Sequence, residues 1–248
     1  MTPLRVMIFS PDAARMERYL LADELYYVLD AVDTETNVYA SLLKSRPDFA
    51  LLDDALPGMN ALHLLWRLQK TCVAPPKVLY IGRDVKEALD TGADAAAESL
   101  PDQEALRTLV RTACASPLSS LARGALKLAA AQTQPMLDAL AFLAHLKGTA
   151  YLQYALPLLA CHPNPAALLG KPLYRLIAEH FQTTPTAAER ALRTAVETTW
   201  LTGNLSAMAD LFGYSISPEK GKPTNNECLA QLARHVHERT QASLLSSR

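Results

Sequence analysis

From residue 4 to residue 116, short apolar runs alternate with stretches in which apolar residues recur every three or four positions. The first pattern predicts buried strands and the second amphipathic helices. Strands are expected at residues 5–9, 27–32, 49–53, 78–81 and 95–98, and helices near 12–25, 35–45, 61–70, 84–91 and 102–114. Five βα units of this size predict an α/β flavodoxin-like domain, with a parallel sheet covered on both faces. From Met136 onward the period is helical almost throughout. Helices are expected at 136–146 and 149–159 with Gly148 between them, then at 168–181, 183–200, 205–212 and 225–240, with Thr224 capping the last. Residues 116–135 change composition between two prolines and read as a linker that is helical in part, with a small dimerisation helix as the alternative. The chain thus divides into residues 1–116, a linker at 117–135, and an all-α domain at 136–248.

The helix expected over 183–200 carries an unusual polar face. Thr184 suits the cap and Pro185 the first helical position, where a missing N–H costs nothing. Ala188, Leu192, Ala195, Val196 and Thr199 recur at helical spacing as the buried stripe, and Thr186, Glu189, Arg190, Arg193 and Glu197 share the other side. Gly203-Asn204 stops it. Two arginines near a helix start can each fork onto guanine O6 and N7 in a DNA major groove, and Glu189 can accept from a cytosine amine. Thr183, Thr184 and Thr186 can donate to phosphate beside the positive helix end. The bland reading is a solvated face, in which Glu189 and Arg193 form an ordinary i,i+4 pair. The preceding segment adds Leu173, Leu176, Ile177 and His180 at helical spacing, joined by the short turn 182–184. Together the two segments form a helix-turn-helix pattern.

At this point the chain resembles the stage-zero sporulation master response regulator A family of endospore-forming bacteria. The residues that carry the resemblance run from His145-Leu-Lys-Gly148 and Tyr151-Leu152, through Glu189-Arg190-Ala191-Leu192-Arg193, to Trp200 and Gly203-Asn204. They continue in Leu211-Phe-Gly-Tyr214 and Lys220-Gly-Lys-Pro-Thr-Asn225. The resemblance implies an all-helical effector domain that reads a short promoter box in double-stranded DNA. It assigns base reading to Glu189, Arg190 and Arg193, and places Lys220 and Lys222 at the DNA backbone. Ala187 stands where the family has a further arginine, and Thr194 replaces another polar residue.

Residues 48–62 look like the third strand and following loop of a response-regulator receiver, with Asp53 at the phosphoacceptor position. Phosphoryl transfer also needs several oxygen ligands for a divalent cation and positive or hydroxyl groups for the phosphoryl oxygens. Here Ser10 and Pro11 stand where the family carries an acidic pair, Gly82 where it has a Thr or Ser, and Ser99-Leu100-Pro101 where it has Lys-Pro. Ser10-Pro11-Asp12 reads instead as a helix cap, first position and dipole-favoured acid. Residues 1–116 therefore read as a degenerate receiver in which Asp53 is a leftover strand-end carboxylate.

Charge and cysteine content sharpen this picture only a little. The 248 residues carry a net charge of −1, but residues 1–135 hold 14 Lys and Arg against 17 Asp and Glu, and residues 136–248 hold 10 against 8. That asymmetry fits an acidic regulatory half and a mildly basic effector half. Cys72, Cys114, Cys161 and Cys228 have no ligand spacing, so neither a metal nor a cofactor is expected and the thiols read as buried in a reducing cytoplasm. No run approaches a membrane span. His235 and His237 lie two apart on one helix and are expected at the surface. No Gly-rich phosphate loop or catalytic triad points to an enzyme. The expected function is sequence-specific transcription regulation without conventional aspartyl phosphorylation. The alternative is an interaction protein that no longer reads DNA well and acts by pairing with a genuine response regulator through its receiver-like half. Double-stranded DNA and a second chain, in a homodimer or a heterodimer with another response regulator, are the expected partners.

Overall fold

Every other residue of the central strands faces a different helical layer, and that alternation organises the first half of the chain. The protein is described by a computed structural model covering residues 3–33, 37–212 and 222–246. Strands β1 (Leu4–Phe9), β2 (Tyr26–Val32), β3 (Phe49–Asp53), β4 (Lys77–Ile81) and β5 (Ala95–Ala97) form one parallel sheet in the order β2-β1-β3-β4-β5. This is the flavodoxin-like order, in which chemistry collects at the carboxyl edge of the strands.

Met7, Phe9, Ala50, Leu52, Val78 and Tyr80 pack on one face against α2 (Val38–Ser45), α3 (Ala61–Thr71) and α4 (Val85–Thr91). Val6, Ile8, Phe49, Leu51, Leu79 and Ile81 pack on the other against α1 (Ala13–Leu21) and α5 (Gln103–Ala113). Both faces being covered explains why the strands read as continuous apolar runs.

The chain divides into two compact units, Met1–Gly124 with His162–Asn164, and Ala125–Cys161 with Pro165–Arg248. The stretch read as a linker is largely regular structure. Leu121 is fully buried in the first unit's core, and Asp94 holds the segment by accepting from the Ser120 N–H at 2.7 Å and the Ser119 hydroxyl at 3.1 Å. Helix α6 then runs Arg123–Ala139, with Pro135 inside it rather than at its edge.

The second unit continues with α7 (Lys147–Ala160), α8 (Pro165–Leu168), α9 (Lys171–His180), α10 (Pro185–Thr202), α11 (Leu205–Phe212) and α12 (Asn225–Ser246). The helix expected over 136–146 does not form. The chain leaves α6 through Ala141, at φ 61°, with Ala141 N–H on the Asp138 carbonyl and Phe142 N–H on the Leu137 carbonyl, both at 2.9 Å. These are the two bonds of a Schellman motif, with an alanine in the usual glycine place. Gly148, read as a break, lies inside α7, and the expected 168–181 helix is interrupted by Gly170 at φ 80°.

Candidate nucleic-acid interface

The α9–α10 turn is closed by its own backbone. Phe181 N–H bonds the Ile177 carbonyl, Gln182 takes a left-handed φ of 52°, and Thr183 N–H returns to the Ala178 carbonyl at 2.9 Å. Thr184 follows in extended conformation, its hydroxyl accepting from the Ala187 N–H at 3.2 Å, with Pro185 starting the helix. The buried stripe of α10 is Ala188, Leu192, Ala195, Val196 and Thr199.

Gly148 sets the depth at which α10 sits on α7. A Cβ at that position would lie 2.1 Å from the Ala191 carbonyl oxygen and 2.7 Å from Ala195 Cβ, so only glycine lets the two backbones meet. A second brace comes from the start of α12, where Asn225 Nδ2 donates to the Glu189 carbonyl at 3.2 Å. Thr224 and Glu227 cap α12 reciprocally, Glu227 N–H donating to Thr224 Oγ1 and Thr224 N–H to Glu227 Oε2.

Thr184, Thr186, Arg190 and Arg193 are exposed on α10, and Glu189 and Glu197 are half-exposed. Arg193 donates to Glu189 Oε1 at 2.7 Å, the i,i+4 pair anticipated from the spacing. Lys222 donates to Glu197 Oε1 at 2.6 Å, which joins it to this face and holds the Glu197 carboxyl below its ordinary range. Arg190 makes no ion pair among the described residues. Lys220 lies outside the described residues. The Asn225 brace and the pairing of Glu197 with Lys222 were not read from the sequence; for Glu197 the helical spacing gave only its place on the polar face, and for Asn225 only its place in the run 220–225.

Both helix α12 histidines expected at the surface, His235 and His237, are half-buried. The His237 Nδ1–H donates to the Ala160 carbonyl at 2.8 Å, tying α12 to the end of α7.

Asp53 stands in the first unit, at the carboxyl end of β3, and is 6% exposed. The fully buried Ser10 donates to its Oδ2 at 2.6 Å, and the Ala55 N–H donates to its Oδ1 at 3.0 Å. Ser10 is not the cap of α1: its hydroxyl accepts from the Asp12 N–H, and Asp12 itself occupies the cap position without a side-chain bond. At the end of β4, a Cβ on Gly82 would lie 2.4 Å from the buried Tyr80 hydroxyl, so the tyrosine fills the space a larger residue would need. Among the described residues no three acids, histidines or cysteines are grouped to hold a metal. No described helix is long and apolar enough to cross a membrane.

Residues 133–236 match the family described as sporulation initiation factor Spo0A C terminal. Solved structures with similarity include the signal receiver domain of the response regulator NarL from Mycobacterium tuberculosis, at 22% identity over 46% of this chain and 98% of that one, with TM-score 0.40. The receiver domain of a response regulator from Bermanella marisrubri is 26% identical over 46% and 99%, with TM-score 0.41. RcsB from Salmonella enterica serovar Typhimurium, solved on the rprA promoter with phosphomimetic BeF3−, is 13% identical over 84% and 98%, with TM-score 0.41.

Proposed function

We propose that the protein is a sequence-specific, DNA-binding transcription regulator whose α10 enters the major groove of a short promoter box. The observation that carries this reading is Arg190, exposed and without an ion pair among the described residues, beside Arg193 on a capped helix that follows a tight turn, within the segment matching the sporulation family. Arg190 and Arg193 read bases, with Glu189 orienting Arg193 through their ion pair or accepting from a cytosine. Thr184 and Thr186 donate to phosphate at the helix start, and Lys222 and Lys220 meet the backbone. Conventional aspartyl phosphorylation does not control it, because Ser10 occupies one oxygen of Asp53 and no group of three acids, histidines or cysteines is placed to hold a metal among the described residues.

Fluorescence anisotropy of the full chain, on a family-type box and a scrambled duplex at fixed salt, tests the assignment. Arg190→Ala and Arg193→Ala should each lose about 1–3 kcal/mol on the box, and little on the scrambled duplex. Equal binding of both duplexes by the unaltered protein would reject base reading.

A second reading rests on the Ser10–Asp53 bond. A receiver-like unit with a closed acceptor site acts by pairing with a second, phosphorylatable receiver. Copurification with such a protein, together with absence of box preference, would favour it. Incubation with a small phosphodonor and Mg²⁺ should leave Asp53 unlabelled under either reading.

A further inference from the structure

Helix α5 carries Gln103, Arg107 and Arg111 at four-residue steps, so the three side chains share one stripe. With Glu104 and Thr108 they line an open groove of about 380 Å³ in the first unit. Neither guanidinium makes an ion pair among the described residues. Arg107 is half-buried, and its Nε is fully buried without a hydrogen-bond partner among the described residues. A buried guanidinium N–H lacking an acceptor is costly, and an acceptor entering the groove would remove that cost.

Burial pushes the Tyr26 phenol up and Asp23 adds to the rise, while Arg111 and Arg107 both pull it down, so both guanidinia act on the same phenol at the inner side of the helix. Two guanidinia one turn apart, neither ion-paired among the described residues, can each bring an N–H fork to one anion, and together they suit a tetrahedral dianion. The remaining lining sets the polarity of the ligand. Glu104 repels an anion from its end of the groove. The Thr108 hydroxyl already donates to the Glu104 carbonyl at 3.0 Å, which leaves its lone pair to accept from a ligand hydroxyl. Gln103 Nε2 reaches the Tyr19 carbonyl at 3.4 Å, a long bond that leaves its amide oxygen free to accept as well.

We propose that this groove binds a phosphomonoester on a polyhydroxylated body, with the phosphoryl group between Arg107 and Arg111 and the hydroxyls toward Thr108 and Glu104. The site belongs to the first unit, whereas the proposed DNA-binding face belongs to the second, and it supplies the first unit with a small-molecule input in place of aspartyl phosphorylation.

The test is calorimetric titration of the full chain with ribose 5-phosphate, adenosine 5′-monophosphate and inorganic phosphate, at ionic strength matched with sodium chloride. Ribose 5-phosphate or the nucleotide should saturate in the sub-millimolar range, roughly tenfold tighter than inorganic phosphate, and the tighter of the two identifies the body. Arg111→Ala, at an exposed position, should abolish saturation without moving the thermal midpoint of the free protein. Arg107→Lys, which keeps the charge and loses Nε, should weaken binding roughly tenfold. Absence of saturation by either ester would overturn the proposal. So would equal affinity for inorganic phosphate, or binding that survives Arg111→Ala.

Discussion

Replacing Gly148 by alanine sets two effects of opposite sign against each other. In an unobstructed helix, glycine to alanine stabilises by roughly 0.5–1 kcal/mol, because the unfolded chain loses freedom. Here the new methyl would stand 2.1 Å from the Ala191 carbonyl oxygen, 2.7 Å from its carbonyl carbon and 2.7 Å from Ala195 Cβ. Comfortable carbon contacts are near 3.5–4.0 Å, so α7 and α10 must separate by more than an ångström. The obstructing atoms are helix backbone and a Cβ, which have no rotamer to escape into. Overpacking of this kind costs about 1–3 kcal/mol or more, so the steric term wins and the net loss is roughly 1–2 kcal/mol. For a unit of this size that lowers the thermal midpoint by roughly 4–10 °C. Differential scanning calorimetry of the full chain reads it directly. Affinity for a box duplex should fall with it, since Ala191 lies between Arg190 and Arg193. A midpoint that rises would refute the reasoning, because it would mean that α7 and α10 stand apart and helix propensity alone governs the site.

Ala141→Gly should act in the opposite sense, relieving a left-handed alanine at the end of α6 and raising stability by about 1 kcal/mol in urea denaturation; no gain would mean that the Schellman turn is not formed. Glu197→Gln should leave Lys222 without its counter-charge, raise affinity for all duplexes together, and steepen the salt dependence by about 0.9; an unchanged slope in an anisotropy series would remove Lys222 from the phosphate contacts. Lys77, held by the Ala113 and Ser116 carbonyls, has its ammonium pushed below the usual lysine range by burial. Because the folded value is the lower one, the cost of the buried charge is full at neutral pH. It is relieved as pH climbs from that lowered value toward 10.5. The urea midpoint of the unaltered protein should therefore rise relative to Lys77→Met over that interval; parallel curves would place the ammonium in water.

What the sequence discloses and what it hides follow a physical line. The buried stripe of α10 was readable residue by residue, because an amphipathic helix with a Thr cap and an N-terminal proline states its phase locally. Strand β3 was equally plain, since a strand covered on both faces must be apolar throughout. The end of α6 was not readable: its stop is a left-handed alanine, and alanine carries no local mark of a turn. Gly148 carried a mark that pointed the wrong way. Read locally it is a helix breaker, but its use is to let α10 approach from more than 40 positions further along the chain. The missing partners around Asp53 were visible by position, but the bond from Ser10 that occupies the carboxylate depends on how β1 and β3 lie side by side.

The arrangement around α10 also bears on how specificity could arise in a chain whose net charge is −1. Of the three cations described on that face, Arg193 and Lys222 are already neutralised by Glu189 and Glu197, and only Arg190 is unpaired. Such a surface attracts phosphate weakly, so nonspecific binding is held down. On the proposed reading, base contacts supply most of the discrimination, and they do so only if the donors are held in register. The three braces serve that requirement from different directions: Gly148 under Ala191 and Ala195, Asn225 on the Glu189 carbonyl, and Lys222 on Glu197. Loosening a brace should therefore reduce the ratio of box to scrambled affinity. Removing the Glu197 carboxylate, which frees the charge of Lys222, should instead raise both affinities together.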